Sequence, residues 1–302
     1  MTAYTHISSN RFKTWLIMFL FATFLTGVVY VFTRALGYTG PSALGFTGIA
    51  LIITGIMNFV TYYHSDKMIM AISRAKQIKK HDNPELFRIV ENLSIASGLP
   101  MPKVYIIEDT ATNAFATGRN PKHASIAFTT GILDKLDKRE LEGVAAHELS
   151  HVGNYDTRLM TVVSILVGTI ALLADWYLRV TWFGHRDNDN DNRAGAIFAI
   201  LAIVMAILAP IIGTLIQLAI SRKREFLADA SGALLTRDPD SLADALLKIS
   251  QDHEPLEVAN RATAHLYIVN PFKGKQVGAS FAKLFNTHPP IEQRVKALRA
   301  MQ

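Results

Sequence analysis

Two unbroken apolar runs near the N-terminus set the terms on which this chain can fold. Trp15 to Phe32 carries no charged residue over 18 positions, and Ala43 to Tyr62 is a second run of similar quality. Coiled as helices at about 1.5 Å per residue, both are long enough to cross a hydrocarbon layer. Two further runs follow. Leu159 to Ala174 is shorter and ends in Asp175, Trp176 and Tyr177, an acid followed by interfacial aromatics. Ala194 to Ile220 contains Pro210, which kinks a span without forbidding it. With 50% of its 302 residues hydrophobic, the chain reads as a membrane protein rather than a soluble enzyme.

The distribution of Lys and Arg gives an orientation. Arg11 and Lys13 precede the first run, and Lys67, Arg74, Lys76, Lys79 and Lys80 follow the second. Arg222, Lys223 and Arg224 follow the fourth, whereas the first hairpin loop carries only Arg34. Arg179, Arg186 and Arg193 between the third and fourth runs are diluted by Asp187, Asp189 and Asp191. The balance places both termini in the cytoplasm and explains the net charge of +6 without nucleic acid. The first run is long, lacks a small-residue cleavage pattern and is soon followed by another, so it is read as an anchor and not a signal peptide. The Asp and Asn alternation from Asp187 to Asn192 is read as a solvated loop tip.

The expected architecture is a mainly α membrane protein with four transmembrane helices and a cytosolic zincin-like α+β catalytic domain holding a small sheet. Its parts are a first hairpin (1–66), a catalytic part (67–158), a second hairpin (159–220) and a second catalytic part (221–302). Within the first catalytic part, Lys67 to Lys80 predicts a helix leaving the membrane along its surface. Pro84 opens an amphipathic helix closed by Gly98 and Pro100. Val104 to Ile107 predicts a strand, and Asn113 to Thr117 with Ser125 to Phe128 predicts a hairpin turning at Gly118 to Pro121. Later, Arg222 to Leu235, Ser241 to Asp252 and Pro290 to Met301 read as helices.

The chemistry is concentrated in Ala146-His147-Glu148-Leu149-Ser150-His151. On a helix, histidines four apart share one face and can hold one metal through two imidazoles. Glu148 is offset but can reach a nearby water as general base. Asp137 and Glu140 form a capping-box pattern, and Leu141, Val144, Ala145 and Leu149 follow at helical spacing, so the motif lies on a helix. The chain has no cysteine, so any metal here depends on histidine and carboxylate.

Two histidines leave a catalytic metal one protein ligand short. The motif helix runs toward the third apolar run and the chain returns through the fourth, which brings Glu225 back to the same side of the membrane. At about 1.5 Å per residue, His151 lies about 12 Å before the third run and Glu225 about 8 Å past the fourth, so their depths agree. Asp229, one turn beyond Glu225, can accept a hydrogen bond from the outer nitrogen of a liganding histidine. Asp156 is the weaker candidate for that role, because a regular helix would rotate it off the liganding face.

Together, His147-Glu148-Leu149-Ser150-His151, Glu225 with Asp229, Asn113-Ala114-Phe115-Ala116, and His288-Pro289-Pro290 with Arg294 resemble the HtpX-type membrane metalloproteases. These are gluzincin relatives of the CAAX prenyl proteases, and the likeness covers essentially the whole chain. It implies one zinc ion per chain at His147, His151 and Glu225, with Glu148 polarising the water. It implies that Asn113, Ala114, Phe115 and Ala116 form an edge strand beside the cleft, where an extended substrate finds unpaired backbone groups. It also implies that His288 and Arg294 donate hydrogen bonds to the tetrahedral intermediate or substrate carbonyls.

The expected activity is a zinc endopeptidase at the cytoplasmic surface of a bacterial inner membrane, multi-pass, with unfolded or damaged membrane proteins as substrates under stress and the bilayer as partner. An intramembrane protease is disfavoured because Asn154, Asp156 and Arg158 separate the motif from the apolar run, and Glu148 would be costly in lipid. Prenyl-peptide cleavage remains an alternative by kinship. A silent zinc-binding scaffold is the other, though a structural site would need a fourth protein ligand.

Overall fold

The computed structural model describes residues 3–35, 40–169, 222–258, 263, 266–268 and 289–301. Two long helices come first, α1 (Ala3–Ala35) and α2 (Pro41–Ile72), packed against each other. Within them Ser8–Tyr30 and Leu44–Ile72 are long and apolar enough to cross a membrane, and large side chains such as Phe19, Ile52 and Phe59 are exposed along them. Arg74 takes a left-handed backbone (φ 51°) just after α2, and Lys76–Gln77 then forms a short strand β1. The helix expected over Lys67 to Lys80 is therefore corrected: α2 continues to Ile72, and the rest turns away to pair with the sheet.

Asn83 accepts from the Leu86 amide and Pro84 sets the first turn of α3 (Pro84–Ser97), which Gly98 closes at φ 69°. Strands β2 (Lys103–Ile107), β3 (Ala114–Gly118) and β4 (Ala124–Thr129) complete a four-stranded sheet of order β1-β2-β4-β3. β2 and β4 are parallel, while β3 runs antiparallel to β4 with Phe115 opposite Ala127. Gly118, at φ 133°, turns the hairpin where a Cβ would lie 2.3 Å from the His123 carbonyl oxygen. Among the described residues β3 is an edge strand of this sheet, as the resemblance implies.

Helices α4 (Thr130–Lys135) and α5 (Lys138–Gly153) follow directly. Asp137 and Glu140 form the expected capping box, and the buried Glu140 also pairs with Lys248 at 2.7 Å. The chain breaks at Asn154 and Tyr155 (φ 59°) before helix α6 resumes over 156–169. After 170–221 come α7 (Arg222–Thr236), α8 (Pro239–Gln251) and α9 (Ile291–Arg299). The third apolar run thus begins as a helix with Leu159, Val162, Val163 and Leu166 buried. Asp175 to Tyr177, the 186–192 loop, Pro210 and the fourth run lie outside the described residues.

Two apolar clusters separate the functions of the fold. One gathers Ile17, Met18, Phe21, Ile69 and Met70 with α6 and Phe115. The other joins α3, the sheet and α5 to α8 and α9 through residues such as Leu86, Ile126, Val144, Leu149, Leu246 and Leu298. Helix α5 has one end in the second cluster and leads through the break into the first. It therefore carries the motif across the boundary between the helical foot and the sheet domain.

Candidate metal centre

On α5, His147 and His151 are both buried, and their rings meet edge to face with centroids 4.8 Å apart. Their Nε2 atoms lie 3.2 Å from each other. Glu225 on α7 brings its carboxylate to 3.5 Å from His151 Nε2 and 3.9 Å from His147 Nε2. One ligand atom from each of the three residues lies within 4.8 Å of the others. Zinc–nitrogen bonds of about 2.0–2.1 Å at tetrahedral angles imply nitrogens about 3.3 Å apart, so the histidine pair has the separation such an ion requires. The two-histidine, one-carboxylate donor set fits zinc.

The outer nitrogens are held by separate carboxylates. His147 Nδ1 lies 2.9 Å from Asp229 Oδ1, and His151 Nδ1 lies 3.1 Å from Asp156 Oδ2. A proton held on Nδ1 leaves the Nε2 lone pair facing inward, the tautomer a metal ligand needs. Asp156 reaches this position because α5 stops at Gly153. The left-handed Tyr155 restarts the helix in a new direction, so the rotation that weakened Asp156 in a regular helix does not apply.

Electrostatics follow from burial and these pairings. Burial would lower the basicity of His151, but its hydrogen bond to Asp156 and the charges of Glu225, Asp156 and Glu148 carry its pKa up to about 9. Glu148 is also buried, and burial lifts its carboxyl above the ordinary range. His147 and His151 pull it down, Glu225 pushes it further up, and a hydrogen bond with the Ala116 backbone lowers it. Burial would raise Asp229, yet Arg294 and His147 hold it at about 2.

Arg294, fully buried on α9, donates Nε to Asp229 Oδ2 at 2.8 Å and Nη2 to Asp229 Oδ1 at 2.6 Å. Its Nη1 lies 3.5 Å from Glu225 Oε2 and makes no hydrogen bond among the described residues. Two of its three nitrogens thus hold the support of His147, and the third faces the Glu225 carboxylate. His288, expected beside it, lies outside the described residues.

Of the four predicted substrate-strand positions, two face outward through their backbone. Ala114 O accepts from Ile268 N at 3.2 Å, and Ala116 bonds to Glu148. Phe115 instead turns a fully buried side chain onto Tyr267, with centroids 5.1 Å apart. Asn113 precedes the strand and bonds to Thr129 through both its amide and carbonyl. The alternation of a strand explains the split, because neighbouring residues bond to opposite sides. The backbone groups on the open side of the strand are thus those of Ala114 and Ala116.

Two contributors went unread in the sequence. Asn10 on α1 donates to Asp156 Oδ1 at 2.8 Å and to the Asn154 carbonyl at 3.2 Å. Arg224 Nη1 lies 3.3 Å from Asn10 Oδ1 and 3.5 Å from Asp156 Oδ1. Neither residue stands at a motif spacing. Arg224 is adjacent to Glu225, which was the available hint, while Asn10 precedes the motif by more than a hundred positions.

Comparison with known proteins gives a family match and full-length relatives. Residues 80–302 match Peptidase family M48. A Protease HtpX homolog of Dictyoglomus thermophilum is 44% identical over 300 residues, covering 99% of this chain and 95% of the relative. One from Pyrococcus furiosus is 44% identical over 287 residues, covering 94% of this chain and 95% of the relative. Among solved structures, the crystal structure of S. mikatae Ste24p aligns at 16% identity and a TM-score of 0.49, over 95% of this chain and 66% of that one.

Proposed function

Because this chain belongs to peptidase family M48 and is a metalloprotease, we propose that it is a zinc endopeptidase anchored in the membrane by α1 and α2. The observation that carries the reading is the convergence of His147 Nε2, His151 Nε2 and the Glu225 carboxylate, with the buried Glu148 on the same helix. These three residues hold the metal. A zinc ion bound there supplies Lewis acidity toward a peptide carbonyl and makes water a stronger acid.

The chain's own groups divide the remaining work. Glu148, its carboxyl lifted by burial, accepts the proton of the attacking water and returns it to the leaving amine nitrogen. Asp229 and Asp156 fix the two imidazoles. Arg294 locks Asp229, and its Nη1 is the buried donor available to the developing oxyanion, a task it shares with His288. The substrate strand adds to β3 through the outward groups of Ala114 and Ala116.

In this reading the catalytic parts are 67–158 and 221–302, and both termini with the centre face the cytoplasm of a bacterial inner membrane. Unfolded or damaged membrane polypeptides are the substrates. Positive charge flanking the apolar runs supports the orientation. Among the described residues three protein groups converge, which leaves a coordination position open for chemistry and favours an enzyme over a zinc-binding scaffold.

The test is metal analysis alongside cleavage of an unfolded membrane polypeptide by the detergent-purified chain. The wild type is expected to hold one zinc and cleave. Glu148→Gln is expected to keep the zinc and lose cleavage. Full cleavage by that variant, or zinc without cleavage in the wild type, overturns the reading.

A further inference from the structure

Where α1 and α2 meet the sheet domain, two arginines are packed among aromatic rings, and a third, Arg11, stands one helical turn before Trp15 on α1. Arg158 is only 4% exposed, and its guanidinium lies 5.0 Å from the Tyr155 ring centroid and 5.6 Å from that of Tyr62. Its Nε donates to the Arg119 carbonyl at 2.6 Å. Arg119 sits 4.7 Å over the Tyr63 ring, donates Nη1 to the Tyr63 carbonyl at 2.8 Å, and places Nη2 2.9 Å from His123 Nε2. Trp15 stacks on Tyr62 at 5.2 Å.

This cluster is rich in cations and poor in anions. Among the described residues, no carboxylate pairs with Arg11, Arg119 or Arg158. Asp156, two residues before Arg158, is engaged by His151, Asn10 and Arg224. Burial holds the Arg158 guanidinium below its ordinary basicity. The tyrosines act against this, whereas the charges of Arg11 and Arg119 reinforce it. Aromatic faces stabilise a guanidinium without neutralising it, and a cation this buried is ordinarily paired with an anion. The terminal nitrogens of Arg158 make no hydrogen bond among the described residues.

The position of the cluster indicates the source of the anion. Trp15 opens the first apolar run and Tyr62 closes the second, so both mark the level at which interfacial aromatics meet lipid headgroups. We propose that Arg11, Arg119 and Arg158 form a binding site for the phosphate of an anionic phospholipid, walled by Trp15, Tyr62 and Tyr63. Arginine forks match phosphate oxygens, and basic recesses between spans take acidic headgroups. Free phosphate shares that chemistry, but the aromatic wall and the depth fit a lipid. The inference rests on the membrane reading of α1 and α2.

The experiment places the full-length chain in nanodiscs of phosphatidylcholine alone or with a minority of phosphatidylglycerol, and follows the thermal unfolding midpoint. Phosphatidylglycerol is expected to raise the midpoint of the wild type by several degrees. Most of that rise is expected to vanish in Arg11→Gln/Arg119→Gln and to fall partway in Arg11→Gln alone, a change at an exposed position that the fold tolerates. Lys103→Gln, which removes a charge elsewhere, is expected to keep it. No rise in the wild type, or an undiminished rise in the double variant, overturns the site. An equal rise from inorganic phosphate in phosphatidylcholine discs overturns the lipid assignment. Failure of the wild type to enter any disc would strike the membrane reading instead, whereas entry without a lipid preference strikes this inference alone.

Discussion

The side-chain amide of Asn10 donates to Asp156 Oδ1 at 2.8 Å, joining residues 146 positions apart, while Asp156 Oδ2 faces His151 Nδ1. A residue at the foot of the first apolar helix thereby orients the carboxylate that orients His151, a candidate metal ligand. Asp156→Asn is expected to weaken zinc affinity about 10–100-fold, the usual cost of losing such a partner. Asn10→Ala is expected to follow in the same direction with a smaller loss, up to about 10-fold, because Arg224 still reaches Asp156. Competition against a zinc chelator measures both. Wild-type affinity in Asp156→Asn would detach this chain of contacts from the metal centre.

Arg294 and Asp229 are both buried and joined by two hydrogen bonds. Arg294→Met leaves Asp229 and Glu225 as buried carboxylates without their cation, and the expected destabilisation is about 3–5 kcal/mol. Adding Asp229→Asn to that variant is expected to restore part of the loss, since the stranded charge is removed. Denaturant unfolding of the four members of the cycle gives the coupling. Strictly additive losses would mean that the pair does not act as a unit.

Gly232 lies seven residues after Glu225 on α7, where a Cβ would come 3.0 Å from the His147 amide nitrogen and 3.2 Å from its Cα. Both are backbone atoms of the motif helix, so relief requires one helix to move. Gly232→Val is expected to cost about 1–3 kcal/mol of stability. It is also expected to lower zinc affinity by shifting Glu225 against the histidines. Chelator competition and thermal unfolding read the two effects separately, and an unchanged variant would show that the helices are not in close contact here.

Asp252 anchors the segment before β3 by accepting from the Thr112 amide at 2.8 Å and the Thr112 hydroxyl at 2.6 Å. Burial would raise its pKa, but these donors, the Glu254 amide and Lys135 hold it at about 2. Its folded pKa is depressed, so its contribution to stability is complete above the ordinary value near 4 and fades as pH falls toward about 2. Asp252→Asn is expected to cost about 1–3 kcal/mol at neutral pH and progressively less across that acid window. Unfolding midpoints measured between neutral pH and pH 2 check the convergence, and a constant gap would refute it.

The chain wrote some of this plainly and some not at all. The capping box at Asp137 and Glu140, the Pro84 start and the Gly98 stop of α3 are local signals, legible because their physics lies within a few residues. Glu225 was legible as a carboxylate just beyond the fourth apolar run, and the structure brings it to the two histidines. The turn after Ile72 was not, because Lys67 to Lys80 has a helical composition and only pairing with β2 decides otherwise. Asp156 was undervalued because nothing local announced that Tyr155 would adopt a left-handed backbone. Asn10 was invisible because its partners lie across the fold.

The outward face of β3 has a consequence for what this enzyme can hold. Ala114 already accepts from Ile268, and Ala116 already bonds to Glu148. A peptide adding itself as the next strand must first displace bonds the chain makes with itself, each worth about 0.5–1.5 kcal/mol. Short or weakly contacting peptides gain little from that exchange. In the proposed reading, long segments recover the cost along their length, so the resting edge would discriminate by extent of contact before any bond is cut.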